Sequence, residues 1–155
     1  MKLRIIVVAT PGPRWADDAG ADFLQRLPKH WKTQLQWIKP TAGRERSSAQ
    51  KLKVADSDKV RKLLQAEPYV LLDERGQHWP SRRFAEQVQR WDEQYSQLNL
   101  VIGGPDGHDQ ALRDGAAGLL ALSKLTFPHA LARVVLLEQL YRASAILAQH
   151  PYHRD

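Results

Sequence analysis

At 155 residues and 17.7 kDa, with 43% hydrophobic and 26% charged residues, the chain has globular proportions and enough length to bury a core without crosslinks. Cysteine is absent, which excludes disulfides and thiolate metal sites and suits a reducing cytosol. The formal charge of +6 and pI of 9.8 favour a polyanionic partner, and no stretch approaches the roughly 20 apolar residues needed to span a bilayer.

Leu3 to Ala9 is a short apolar run rich in β-branched residues, closed by Pro11 and Gly12, and predicts a buried strand. The run is too short for a signal peptide and has no small-residue cleavage site behind it, so the protein is expected to be soluble and cytoplasmic. Pro13 opens a helical stripe of Ala16, Ala19, Phe23, Leu24 and Leu27 that ends before Pro28. Gln34 to Ile38 is a second, shorter strand. Lys39, Arg44, Arg46, Lys51 and Lys53 then crowd a stretch that also holds Pro40, Gly43, Ser47 and Ser48, which reads as a basic loop suited to phosphates.

Ala49 to Gln65 reads as a helix with Leu52, Val60, Leu63 and Leu64 facing inward. Tyr69 to Leu72 is a further apolar strand, and Asp73 to Gly76 reads as the turn that ends it. Ser81 is expected to cap a helix carrying Phe84, Val88 and Trp91, with Glu86 and Arg90 as an i,i+4 pair. Leu98 to Ile102 predicts a strand running straight into Gly103-Gly104-Pro105. A short helix over 109–114, a strand over 119–122 and a long helix from about Pro128 to Gln149 complete the chain. Two stripes on that last helix, one through Val134, Leu137 and Tyr141 and one through Leu136, Leu140 and Ala143, form a wider apolar arc than one sheet face covers. The helix is either wedged inside the domain or half of a dimer interface.

Continuous apolar strands alternating with helices indicate one α/β domain over residues 1–155, with a parallel sheet covered on both faces. Ligands of such sheets sit beyond the carboxyl ends of the strands, where Leu72, Gly103 and Leu122 fall. Gly103-Gly104-Pro105-Asp106-Gly107 follows a strand as a phosphate loop would, but it is neither GxGxxG nor a Walker loop, and taken alone it reads first as a plain strand-to-helix turn and second as a ligand loop. Ser123, Lys124, Leu125, Thr126 and Phe127 supply hydroxyls, backbone groups and a ring just before a helix, enough to wrap an adenosine. Thr126 capping the helix with Pro128 in its first turn is the structural alternative.

His129 reads as a surface residue near the helix start. His150 and His153 are separated by Pro151 and lack a carboxylate to complete a metal set, so no metal is expected. Glu138 and Arg142 suit an ion pair, with Arg142 also placed to reach a phosphate. Tyr152, His153 and Arg154 form a tail that can stack on a base, shuttle a proton or contact phosphate.

In order, Val101 to Gly107, Leu122 to His129, Arg133 to Ala143 and Pro151 to Arg154 resemble the ribosomal RNA large subunit methyltransferase H family of small knotted methyltransferases. Asp106 and His108 are minor departures, since glutamate and leucine are common there. The resemblance implies an α/β fold whose C-terminal end forms a trefoil knot of the SPOUT type, acting as a homodimer. It implies methyl transfer from S-adenosylmethionine to N3 of a pseudouridine in 23S ribosomal RNA, with the ribosome as partner. It further implies a cofactor site at Leu72, Gly103 and Leu122 to Phe127, and catalytic candidates Arg142, Tyr152, His153 and Arg154.

Three rivals stand beside this reading. A noncatalytic RNA-binding or ribosome-assembly protein explains the basic loop and tail but not the ligand-like loops. A nucleotide hydrolase lacks a nucleophile constellation. A knotted methyltransferase with a transfer RNA target differs only in substrate. The modest charge also suggests that phosphate attraction alone does not hold isolated RNA tightly, so assembled ribosomes are the expected substrate.

Overall fold

The computed structural model describes residues 1–43 and 48–154, so Arg44, Arg46 and Ser47 of the basic stretch lie outside the described residues. Five strands, β1 (Lys2–Val8), β2 (Gln34–Ile38), β3 (Tyr69–His78), β4 (Gln97–Ile102) and β5 (Gly118–Ala121), form one parallel sheet in the order β2-β1-β4-β3-β5. The helices are α1 (Arg14–Arg26), α2 (Ala49–Leu64), α3 (Ser81–Gln94), α4 (Gln110–Asp114) and α5 (His129–Leu147).

Alternation along the strands sorts the core into two layers. Leu3, Ile5, Val7, Leu98, Leu100 and Ile102 face α3 and α5, with Phe23 and Leu24 of α1 at the margin. Ile6, Val8, Leu71 and Val101 face the other way, onto Val60 and Leu64 of α2 and Leu112 of α4. Both faces are therefore covered, as the unbroken apolar strands require. At the amino-terminal edge of the sheet, the fully buried Asn99 accepts from Arg4 at 2.6 Å and donates to the carbonyl of Pro68 at 2.9 Å. That edge is closed by polar pairing. The opposite edge is open.

The structure corrects four local expectations. Asp73 to Gly76 does not end β3: the strand continues to His78, and its register on β5 slips so that both Leu72 and Gln77 stand opposite Leu120. Gly76 is required within this bulge, because a Cβ there would lie 2.5 Å from the backbone of Leu119. Ser81 is the first helical residue rather than the cap, which is Pro80, and its hydroxyl donates to Gln139 of α5 at 2.8 Å. Thr126 likewise does not cap α5; Pro128 holds that position. Glu86 takes Arg83 as partner at 2.6 Å, where the spacing suggested Arg90.

Helix α5 packs against both α1 and α3, burying Leu136, Leu137, Leu140, Ala143 and Ala145. Its wide apolar arc is thus largely explained by wedging within the domain. It ends in a Schellman arrangement: Gln149 adopts φ 54°, its N–H donates to Ile146, and the N–H of His150 donates to Ala145 at 2.8 Å. The chain therefore turns back at Pro151, and Tyr152 and His153 return onto the helix.

Candidate functional site

A cleft of about 950 Å3 opens at the carboxyl ends of β3, β4 and β5. Its walls bring together Leu72, Gly103 and the whole run Leu122 to Phe127, three segments joined only by the parallel topology. Leu125 is 74% exposed at the mouth, and the Ser123 hydroxyl accepts from its backbone N–H at 3.0 Å, which fixes the turn before α5. Glu74 and Asp106 add carboxylates to the walls, and Lys53 and Lys124 add ammonium groups.

Behind the cleft lies a buried polar framework that hydrophobic patterning could not show. His108 is 2% exposed; its Nε2 lies 3.0 Å from the carbonyl oxygen of Leu72, to which only a protonated ring nitrogen can donate. Its ring also sits where a side chain on Gly103 would be, 2.7 Å from that Cβ position. Burial is the main influence on the imidazole and lowers its pKa, so the ring is held neutral.

The next residue, Asp109, caps α4 through Leu112 N–H at 2.8 Å and receives both terminal nitrogens of Arg61 at 2.8 Å. Its backbone N–H donates to Ser57 of α2 at 2.9 Å. The Arg61 hydrogen bonds lower the Asp109 carboxyl and raise the guanidinium. Asp73, 3% exposed, pairs with Arg113 at 2.7 Å. Both strand exits that line the cleft are thereby tied to α2 and α4.

A second hollow, of about 350 Å3, lies at the ends of β1 and β2 and shares Pro105, Pro128 and His129 with the cleft. Its walls are mainly apolar: Val7 to Ala9, Trp37, Pro40 and Ala130. Arg133 of α5 also lines it, 2% exposed, stacked 4.7 Å from the Trp37 ring and paired with Asp17 at 2.8 Å. Gly12 N–H also donates to Asp17, and this bond is the chief cause of its lowered pKa. His129, expected at the surface, is half-buried on the ridge between the two hollows.

The four catalytic candidates lie elsewhere on the same chain. Arg142 is paired with Glu138 through Nε at 3.0 Å, Tyr152 donates to the same carboxylate at 3.0 Å, and the Arg142 guanidinium lies 4.9 Å from the Tyr152 ring. The Glu138 bonds raise the Arg142 pKa; burial first, then Glu138, raises that of the Tyr152 phenol. Arg142 Nη1 is 3.3 Å from His153 Nδ1. A guanidinium only donates, so Nδ1 accepts in this contact. Arg154 is exposed beside them. Thirteen residues of helix separate Arg142 from His129, an axial distance of about 20 Å. The structure brings the expected cofactor segments together in one cleft and holds the tail apart from them.

Among the described residues no group of three His, Cys, Asp or Glu could hold a metal ion, and no helix is long and apolar enough to cross a membrane. A family model described as "Predicted SPOUT methyltransferase" matches residues 1–153. The chain belongs to the SPOUT methyltransferase family. Full-length relatives agree with this SPOUT assignment. Proteins named ribosomal RNA large subunit methyltransferase H are 38% identical in Methylibium petroleiphilum, 40% in Variovorax paradoxus and 41% in Verminephrobacter eiseniae, each covering 100% of both chains. In this SPOUT chain, sequence reasoning missed His108, Asp109 and Arg133 as parts of the site's framework. Their one signal was a polar residue beside a glycine loop or within an apolar helix stripe.

Proposed function

We propose that this chain transfers a methyl group from S-adenosylmethionine to N3 of a pseudouridine in 23S ribosomal RNA, acting on assembled ribosomes in the cytoplasm. The observation that carries the reading is the cleft in which Leu72, Gly103 and Leu122 to Phe127 converge, in a SPOUT chain whose full-length relatives bear the name of a large-subunit RNA methyltransferase. The walls fit such a cofactor: Leu72, Leu122 and Phe127 offer apolar surface to a purine, Ser123 and Thr126 offer hydroxyls, and Glu74 and Asp106 offset a cationic ligand. When bound, the cofactor supplies a methyl already activated on a sulfonium, so the protein's task is to align the acceptor with it.

We further propose that the C-terminal end is knotted and that the active unit is a homodimer in which the tail of one copy serves the cleft of the other. The rise of about 15 Å along α5 between Ala132 on the cleft wall and Arg142 beside the tail supports this. Trp15 is 54% exposed on α1 and Leu147 40% exposed at the end of α5, leaving apolar surface for a second copy.

In that arrangement the tail brings the His153 ring and the Arg154 guanidinium to the acceptor. The guanidinium is a donor suited to the carbonyls that flank N3 as the N3 proton passes to water and the methyl leaves the sulfonium for that nitrogen. His153 Nδ1 already accepts from Arg142, so that nitrogen does not take the N3 proton. The test is mass spectrometry of 23S RNA nucleosides from a deletion strain. Loss of one 3-methylpseudouridine supports the reading; its persistence, or loss of a transfer RNA methylation instead, refutes it.

A further inference from the structure

The second hollow is not needed to hold the cofactor, and its chemistry is different. It adjoins the cleft along Pro105, Pro128 and His129, so a group seated in it meets a group seated in the cleft across that ridge. Its walls are flat and apolar: the Trp37 indole, Pro40, Pro105 and Pro128. Among the described residues Arg133 is the one guanidinium that lines it, and its charge is already matched by Asp17 at 2.8 Å, with the Gly12 carbonyl 3.4 Å from the same nitrogen. A neutralised, 2% exposed arginine makes a poor phosphate site. Held against the Trp37 ring, it makes a rigid floor instead.

Resting on the methyltransferase reading, we infer that this hollow receives the acceptor nucleoside itself, a neutral pyrimidine splayed out of the RNA. RNA bases that are read or modified are extruded and stacked against aromatic and apolar side chains, which is what these walls provide. A volume of about 350 Å3 lies at the lower end of the range for small-ligand pockets, in keeping with one nucleoside rather than a helix or a peptide. The base is thereby separated from the phosphate chain: the exposed Lys39, next to Pro40 at the rim, remains outside for the backbone. His129, at the first turn of α5, stands between the two ligands and limits how they approach. The cleft would hold the cofactor and the hollow the base, with the ridge of Pro105, Pro128 and His129 between them.

The experiment has two parts. The first fills the hollow with Ala130→Phe, at the second residue of α5 and only half-buried. S-adenosylmethionine affinity by calorimetry and the thermal midpoint should stay as in the wild type, while kcat/KM for ribosomes falls at least tenfold. The second places 4-thiouridine at the acceptor position of a 23S stem-loop fragment on the assembled subunit and maps the photocrosslink. It should fall on the peptide holding Trp37 or on 128–133.

Undiminished methylation by Ala130→Phe, or crosslinks confined to other segments, overturns the inference and leaves the methyltransferase reading intact. So does a variant whose activity loss is matched by conversion from dimer to monomer, since the hollow would then be a contact between copies. A wild-type protein that methylates no ribosomal RNA overturns both.

Discussion

Tyr152 lies edge-on to Tyr141 with ring centroids 4.7 Å apart, and this contact folds the tail back onto α5. Aromatic pairs of this kind contribute about 0.5–1.5 kcal/mol beyond their buried area, enough to order a short tail. A chain ending at Pro151 is therefore expected to keep its fold and its calorimetric affinity for S-adenosylmethionine, yet to lose methylation of ribosomes. Full activity in that truncation would discard the tail as part of the active site. Tyr152→Phe keeps the ring contact and should retain most of the activity; Tyr152→Ala should not.

Gly103 has its freedom of side chain removed by His108, whose ring stands 2.7 Å from the Cβ position. Gly103→Val must displace the imidazole from the Leu72 carbonyl and disturb both strand exits at once. The expected result is loss of cofactor binding by calorimetry with the far-UV circular dichroism retained. Unchanged affinity would remove Gly103 from the cofactor site.

His108 also predicts a pH dependence of stability. Its folded pKa lies below the ordinary 6.5, so between the two values the unfolded chain binds more protons than the folded one. Stability is accordingly full above about 6.5 and declines as pH falls from there toward the folded pKa. Urea midpoints measured from pH 8 to 5 should fall for the wild type and fall less for His108→Leu. Identical pH profiles would show that the imidazole is not held neutral by the fold.

Gln149 is a non-glycine residue at φ 54°, in the position where helix ends favour glycine. Gln149→Gly is expected to stabilise the protein by about 0.5–1 kcal/mol, read as a raised thermal midpoint. A lowered midpoint would contradict the assignment of a left-handed cap at the turn that returns the tail.

Much of this architecture was legible in the residues because apolar runs and proline boundaries act locally. Gln34 to Ile38 is the observed second strand, and Pro13 and Pro128 stand at the observed starts of α1 and α5. The segments that line the cleft were legible too: Gly103 and Leu122 directly follow β4 and β5, and Leu72 lies within the apolar start of β3. What failed was non-local. Asp73 to Gly76 looks like a turn because nothing in those four residues reveals that Gly76 will lie against the backbone of Leu119. The strand order β2-β1-β4-β3-β5 leaves no periodic trace. Buried polar residues such as Asn99, His108 and Arg133 carry no local mark of burial, because only their distant partners make it tolerable.

The central claim is methyl transfer to large-subunit RNA, and one incubation tests it. Purified protein, ribosomes from a strain lacking the modification and methyl-labelled S-adenosylmethionine are combined, and the 23S nucleosides are resolved by mass spectrometry. The account predicts label in a single 3-methylpseudouridine, with incorporation approaching one per ribosome and lower on naked 23S RNA. No label in 23S RNA, or label in transfer RNA alone, would contradict it.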